Sequence, residues 1–385
     1  MDNKIVICSV GDLMISDSPL YVSVGVGTAY SESSEKLYRE CSKDFKAADI
    51  VIGNLESVVN ESGRKNLTEL QMSTSKQLVN DLHKAGINVL SLANNHCLQH
   101  GTACFFNTKN ICEDLGITCT GVKDELPVQK KVSGMNLFFL SICLFTEFYQ
   151  PDDIQYESDI VSIIKKVLEI KSIDKKAIII LSVHWGDEFA TYPSNTQVEL
   201  AHLLADNGVD IILGHHSHVY QGIEKYKESL ILYSQGNFVS DMLPDICRET
   251  GVAKIIITAE GEKRRIDYQF IPYRINENYI PLKSNAQWFG DRQQELENVL
   301  NGHISDEEYM RMVYSNHMKC HNIFRDYFIS NFFDYKVNIS MGMLYAFLKR
   351  KYKKTIGTYP KRYDLDNALL LAKEYVGTSK TNEVE

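Results

Sequence analysis

Short runs of apolar residues recur at wide intervals along the chain, and most are rich in Ile and Val. They are too short for helices, and their largely apolar character is typical of strands buried on both faces of a sheet. The predicted strands are residues 4–10, 48–52, 87–92, 137–145, 177–183, 209–213, 230–233 and 252–258. Amphipathic stretches of helical length separate many of them, for example residues 74–85, 102–115 and 197–207. This alternation predicts a layered α/β fold with much parallel pairing.

The strand pattern stops near residue 283. Residues 286–385 hold 16 of the chain's 39 aromatic residues and are close to neutral in charge. Their apolar spacing is helical, best over residues 306–314 and 339–351. We therefore predict two parts, a main domain over residues 1–283 and a mainly helical, aromatic-rich C-terminal extension over residues 284–385.

Composition narrows the class of protein. At 385 residues the chain exceeds the ~250–300 at which one core stops growing, which fits a main domain with an appendage. A net charge of −9 argues against nucleic-acid binding. The nine Cys form no CxxC pair and several lie in apolar runs, which is typical of reduced, buried thiols. No run of ~18 apolar residues, the length needed to span a membrane as a helix, occurs in the sequence. We expect a protein of the cytoplasm, or one peripheral to the membrane.

Polar side chains fall at or just past the carboxyl ends of six predicted strands. In open α/β sheets ligands bind outside these ends, so segments far apart in sequence are expected to converge on one pocket. The residues are Asp12, Asn54, Glu56, Asn94, Asn95, His96, His184, His215, His216, His218 and Asn237.

The strongest local signal is the turn Gly214-His215-His216-Ser217-His218, which follows a buried strand. A lone His is usually a core or surface residue, but three in four residues behind a Gly favour metal ligation. For Asn94-Asn95 a simpler interpretation also stands, since Asn is common in turns. That pair can nevertheless also present a carbonyl oxygen to a metal.

The residue types indicate metal-assisted hydrolysis. Carboxylate and amide oxygens from Asp12, Asn54 and Glu56, combined with imidazoles, suit one or two divalent ions such as Mn²⁺, Fe²⁺ or Zn²⁺. Such ions polarise a phosphoryl oxygen and activate water, and a spare imidazole can protonate the leaving group. Phosphate esters are the natural substrates of this chemistry.

The ordered motifs resemble a known family. They are Gly11-Asp12-Leu13-Met14, Ile52-Gly53-Asn54-Leu55-Glu56, Ser91-Leu92-Ala93-Asn94-Asn95-His96, His184-Trp185-Gly186-Asp187-Glu188, Gly214-His215-His216-Ser217-His218 and Tyr233-Ser234-Gln235-Gly236-Asn237-Phe238. Over residues 3–275 the chain is similar to the CapA family of capsule and poly-γ-glutamate biosynthesis. That resemblance implies a calcineurin-like metallophosphoesterase fold, an α/β sandwich, and does not include the C-terminal hundred residues.

The resemblance also implies roles for individual residues. The metal ligands it implies are Asp12, Asn54, Asn95, His184, His216 and His218, with His96 facing the phosphate and leaving group. Glu56 is assigned both to metal binding and to catalysis. Asn95 and His96 are the other two residues assigned to catalysis. Asn94, His215 and Asn237 are assigned to substrate binding.

Three residues depart from the wider superfamily pattern or from other family members. Met14 stands where a His is usual, and Asn54 stands where a bridging carboxylate is usual. A neutral amide does not offset the repulsion between two cations, so we expect Glu56 to take the role of the bridging carboxylate. Gln99 stands where other members carry Asp.

Two functions of different classes remain open. The first is a metal-dependent hydrolase of capsule or poly-γ-glutamate metabolism, acting on an anionic polymer or a phosphate-containing small molecule. The second is a non-catalytic subunit that binds an anionic polymer or organises capsule synthase subunits. A basic run over residues 349–354 weakly suggests contact with a membrane surface, although a solvated helix end is the favoured explanation.

Overall fold

The structure is a computed structural model that describes residues 3–19, 21–60, 70–145, 154–260, 263–285, 287–333, 335, 337–345 and 365–382. The strands are β1 (Asn3–Leu13), β2 (Ile50–Leu55), β3 (Val58–Val59), β4 (Ser73–Thr74), β5 (Val89–Ser91), β6 (Thr118–Thr120), β7 (Val128–Val132), β8 (Met135–Cys143), β9 (Ile178–His184), β10 (Ile211–His215), β11 (Tyr220–Tyr226), β12 (Ser229–Gln235), β13 (Asn237–Val239), β14 (Glu249–Glu260), β15 (Lys263–Ile275) and β16 (Pro281–Lys283).

The α-helices of this part of the chain are α1 (Val26–Ala29), α2 (Ser42–Lys46), α3 (Lys76–Ala85), α4 (Thr102–Asp114), α5 (Ile160–Ile173), α6 (Asn195–Asp206), α7 (Gln287–Leu300), α8 (Asp306–Ser330) and α9 (Leu365–Asn382). Residues 337–345 are also helical, and short 3₁₀ helices cover Glu35–Tyr38 and Asp245–Arg248.

Two mixed sheets form the centre of the molecule. The first runs in the order β16-β15-β14-β1-β2-β5-β6, with β13 paired to β1 beyond the end of β14. The second runs in the order β11-β12-β10-β9-β8-β7. Each strand that carries a polar end is parallel to at least one neighbour, as β1 is to β2 and β9 is to β10. Their carboxyl ends therefore lie at one edge of each sheet.

Hydrophobic burial explains the layers. One apolar cluster joins the facing surfaces of the two sheets, with Ile7 and Ile52 from the first and Ile180 and Leu213 from the second. A second cluster packs α1 to α4 on the outer face of the first sheet, and a third packs α5, α6 and α9 on the outer face of the second. The sequence-based expectation of a layered α/β sandwich is confirmed.

The helical character expected after residue 283 is confirmed in the described part. α8 is much longer than the predicted 306–314, and it begins with a capping box in which Ser305 and Glu308 bond each other's backbone N–H. The predicted helix over 339–351 is helical to residue 345, and its remainder, like the basic run at 349–354, lies outside the described residues. Across those residues, no helix has the length and apolar character to cross a bilayer.

The helices of the extension pack on the sandwich. In α7, the Gln293 amide accepts from Ile223 N at 2.6 Å and donates to Ile223 O at 3.0 Å. α9 contributes Ala372 and Val376 to the outer cluster of the second sheet. The division of the chain at residue 283 into two domains stays a prediction.

A buried carboxyl joins two loops beside the pocket edge. Asp241 is 1% exposed, and it accepts hydrogen bonds from the backbone N–H and the hydroxyl of Ser18. Burial, opposed by these bonds, raises the pKa of Asp241 to about 7. An unfolded Asp titrates near ~4, so the folded state binds this proton more tightly. The resulting stabilisation is complete below about pH 4 and is lost as the pH rises through about 7.

The Asp241→Asn variant should therefore have a flatter dependence of stability on pH. Between about pH 5.5 and about pH 8.5, the wild type should lose about 2 kcal/mol of unfolding free energy relative to the variant. Asn can retain both contacts, because it accepts from the Ser18 N–H and donates to the Ser18 hydroxyl. Urea unfolding at both pH values measures the difference, and equal slopes in the two proteins would contradict the assignment.

Candidate metal site

The strand registers bring the predicted residues to one place. In the first sheet Asp12 lies opposite Asn54 of β2 on one side and Asn237 of β13 on the other. In the second sheet His184 lies opposite His215. All of these side chains are buried, and the pocket lies where the carboxyl ends of the two sheets meet.

Asp12 is surrounded by donors. Its Oδ1 lies 2.9 Å from Asn54 Nδ2 and 3.0 Å from His215 Nδ1. Its Oδ2 lies 3.3 Å from the backbone N of His216 and 3.5 Å from His218 Nδ1. Burial favours the neutral acid, but the imidazoles of His215 and His218 hold the pKa of Asp12 well below its usual range. Asp12 is therefore a carboxylate fixed in position by its neighbours.

Glu56 has the opposite environment. It is fully buried, and among the described residues neither of its carboxylate oxygens has a hydrogen-bond partner. Its Oε1 lies 3.7 Å from His96 Nε2 and 4.0 Å from both His184 Nε2 and His218 Nε2. Burial raises the pKa of Glu56 well above its usual range. A buried acid without partners is costly in the absence of a cation, so its position indicates a ligand role.

Asp12, Glu56 and His218 form a buried group that could hold a metal ion, since their ligand atoms all lie within 4.8 Å of one another. Two carboxylates and an imidazole fit a borderline divalent ion. The unpartnered oxygens of Glu56 are the specific sign of that fit. The expectation of a metal-binding pocket is thus supported at the level of ligand types.

A second set of donor atoms also lies close to Glu56, whose Oε1 is 4.0 Å from His184 Nε2. His184 Nε2 is 2.9 Å from Asn95 Oδ1 and 3.0 Å from His216 Nδ1. Ligands that share one ion through bonds of about 2.1 Å lie roughly 3 Å apart, which matches this spacing. Burial, and then repulsion from His216, hold the pKa of His184 well below its usual range, so its imidazole is neutral as a ligand must be.

The backbone of the histidine turn is strained. His216 and His218 both adopt positive φ, 90° and 58°, a region uncommon for residues other than Gly. Gly214 is required just before them, because a Cβ there would lie 1.9 Å from Tyr233 O. Strain of this kind persists where it aims side chains at a functional site.

His96 lies at the more exposed side of the pocket, with 16% of its side chain accessible. Its Nδ1 is 2.7 Å from Gln99 Oε1, an acceptor, so the neutral ring carries its proton on Nδ1 and leaves Nε2 free of hydrogen toward Glu56. Asn94 accepts from the His96 backbone N–H at 3.1 Å. Burial lowers the pKa of His96 to about 4.

The remaining predicted residues lie beneath the ligand atoms. Asn54 directs its amide nitrogen to Asp12 and receives a hydrogen bond on its oxygen from Asn94. His218 Nδ1 contacts Asn237 Oδ1 at 3.0 Å. The assignment of Asn94, His215 and Asn237 to substrate binding stays a prediction, and in the structure each is buried against other pocket residues.

The sulfur of Met14 accepts a hydrogen bond from the Ser240 hydroxyl at 3.5 Å. Burial opposes the imidazolium of His218, but Glu56 and then Asp12 outweigh it and raise the pKa of His218 to about 10. A metal ion that binds His218 must therefore displace a proton from its ring.

Two residues of the pocket received no role from the sequence. Glu188, within the His184 motif, is half-buried and interacts electrostatically with Glu56, His96 and His218. The ring of Phe145 lies 4.2 Å from that of His216, at the end of a predicted strand. Glu188 could have been found from the sequence, because it is an acidic residue within the motif that begins at His184. Nothing in the local sequence distinguishes Phe145 from an ordinary core residue.

Comparison with known proteins identifies relatives. The chain is 28% identical over 257 residues to the capsule biosynthesis protein CapA of Bacillus anthracis, covering 62% of this chain and 61% of that protein. It is 27% identical over 278 residues to the PGA biosynthesis protein CapA of Bacillus subtilis, covering 66% and 69%.

A probable polyglutamine synthesis accessory protein of Mycobacterium tuberculosis is 31% identical over 118 residues, which is 29% of this chain and 31% of that protein. The sequence profile of the family described as bacterial capsule synthesis protein PGA_cap matches residues 6–242. This match covers more than half of the chain and every predicted site residue, so the chain belongs to the family of bacterial capsule synthesis proteins.

Proposed function

We propose that this protein acts in the synthesis of a capsule or poly-γ-glutamate and that its pocket is a metal-dependent hydrolytic site. The names of its Bacillus relatives support the process. The observation that carries the chemistry is the Glu56 carboxyl, which is fully buried and without hydrogen-bond partners among the described residues, with Oε1 4.0 Å from both His184 Nε2 and His218 Nε2.

Asp12, Glu56 and His218 would hold one divalent ion, and Asn95, His184 and His216 would hold a second where two bind. Oxygen and imidazole ligands without thiolate suit Mn²⁺, Fe²⁺ or Zn²⁺. Glu56 Oε1 is 4.0 Å from a nitrogen of each set, His218 Nε2 and His184 Nε2, which supports its replacing the bridging carboxylate that Asn54 does not supply. Asn54 instead donates to Asp12 and fixes its orientation.

Such an ion, when bound, polarises a phosphoryl oxygen and lowers the pKa of water. The chain's own contribution is to orient groups around it. Gln99 fixes the His96 ring, and Asn94 fixes its backbone, so that Nε2 can exchange a proton with a group entering from the exposed side. A phosphate ester, or an anionic polymer end, is the substrate class that this arrangement would accept.

Metal analysis and phosphatase assays test the proposal. Wild type should bind Mn²⁺, Fe²⁺ or Zn²⁺ and hydrolyse phosphate monoesters or diesters, and His216→Ala should lose about 100-fold or more in kcat/KM. His202→Ala is the matched control, because His202 contacts Glu224 on the outer side of the second sheet. A wild type that is inactive with all three metals would remove the enzymatic part.

The second candidate is a non-catalytic subunit that binds an anionic polymer or organises a synthase. Asn54 favours it, since its amide takes the place of a bridging carboxylate and gives its nitrogen to Asp12. The description of the Mycobacterium tuberculosis relative as an accessory protein agrees with this role. Saturable binding of poly-γ-glutamate without turnover, by metal-loaded wild type, would select the subunit role.

A further inference from the structure

The segment that follows β9 connects the pocket to the C-terminal extension. It covers residues 185–189 and begins directly after His184, the last residue of β9. The Trp185 N–H donates to His215 O at 3.3 Å and the Phe189 N–H donates to Ser217 O at 2.8 Å, so both ends of the segment are bonded to the histidine turn.

Helix α8 of the C-terminal extension holds this segment on both sides of Glu188. The Tyr309 hydroxyl donates to Asp187 Oδ2 at 2.9 Å. The Asn316 amide donates to Phe189 O at 3.0 Å. Tyr309 and Asn316 lie seven residues apart, which is about two helical turns, so they are on the same face of α8. This face forms hydrogen bonds to the residues immediately before and after Glu188.

Contacts outside α8 also restrict the backbone of this segment. Phe189 adopts a positive φ of 64°, and its N–H donates to Ser217 O, in the histidine turn, at 2.8 Å. Its ring packs in a cluster with Cys320 and Phe324 of α8. The α8 contacts, the strained backbone and the histidine turn therefore fix one another.

We propose that α8 is part of the functional site, because it holds the 185–189 segment and, through it, the histidine turn that carries His216 and His218. The effect on metal binding rests on the proposed function, whereas the positioning by α8 does not. Tyr309 and Asn316 are positioning residues, because they act through Asp187 and Phe189. The family match ends at residue 242, so this assigns a role to a region that the match does not include.

Hydrogen exchange tests the positioning without any metal. In the double variant Tyr309→Phe, Asn316→Ala, the Phe189 and Ala190 amides should exchange about tenfold faster than in wild type. The control is Tyr314→Phe, Asn322→Ala, which changes the same residue types at exposed positions of α8. Asp187→Asn keeps an acceptor for the Tyr309 hydroxyl and should retain slow exchange. Equal exchange in the double variant and the control would overturn the positioning by α8.

Calorimetric titration with Mn²⁺ alone tests the consequence for the metal site. The α8 double variant should weaken Mn²⁺ binding about 10- to 100-fold, whereas the Tyr314→Phe, Asn322→Ala control should keep the wild-type affinity. Wild-type affinity in the double variant would overturn the link between α8 and the metal site. A wild type that binds no Mn²⁺ would refute the metal site itself, and the exchange result would still decide the positioning by α8.

Discussion

Replacing Glu56 by Gln should abolish metal binding and at the same time make the metal-free protein more stable. The change keeps the size of a side chain that is fully buried and removes an acid whose oxygens have no hydrogen-bond partner in the described part of the chain. Because burial raises the pKa of Glu56, the folded protein without metal bears an unfavourable acid. We expect about 1–2 kcal/mol of added stability in chelator, measured by urea unfolding.

The same variant should show no increase in melting temperature on addition of Mn²⁺, whereas the wild type should be stabilised according to its affinity. Glu157→Gln is the matched control. Glu157 is also buried, but its oxygens accept hydrogen bonds from Ser158, Asp159 and Ser162, so the substitution should destabilise and leave metal binding intact. A Glu56→Gln protein that is less stable than wild type in chelator would show that this carboxylate has a structural role.

Gly214→Ala should destabilise the protein by about 3 kcal/mol or more. An added Cβ would lie 1.9 Å from Tyr233 O and 2.5 Å from Tyr233 C, which are backbone atoms of the neighbouring strand. Backbone atoms cannot move aside as a side chain can, so β10 and β12 must separate near the pocket. Because the histidine turn follows directly, metal affinity should fall together with stability.

Gly290→Ala provides the comparison. Gly290 lies in α7, where an added Cβ would meet no atom of the described residues within 4 Å, and Ala favours helix by about 1 kcal/mol over Gly. This variant should be as stable as wild type or more so. Urea unfolding of both variants measures the difference, and a Gly214→Ala protein of wild-type stability would show that the strands can part at little cost.

The pocket was predictable from sequence because of how parallel strands end. Asp12, Glu56 and His184 each follow a largely apolar run, and in-register parallel strands place such ends side by side. The residue types then limited the chemistry. What the sequence could not supply was the environment of each group, for example that Asp12 is surrounded by donors whereas the described residues offer Glu56 none.

The role of the extension was not predictable for a different reason. The contacts from Tyr309 to Asp187 and from Asn316 to Phe189 join residues more than a hundred positions apart. Neither pair leaves a periodic pattern, because each depends on the docking of a whole helix. The helix itself was expected, but its length to Ser330 and the surface on which it packs were not.

The central position of β1 has a consequence for synthesis on the ribosome. β1 is paired on one side with β2, but its other side is completed by β14, where Asn3 lies opposite Ala259. The second edge of β1 therefore stays uncovered until some two hundred and fifty further residues have emerged from the ribosome. During that interval an apolar strand edge is exposed to self-association. Nascent chains of this protein are thus expected to depend on chaperones until β14 has been made.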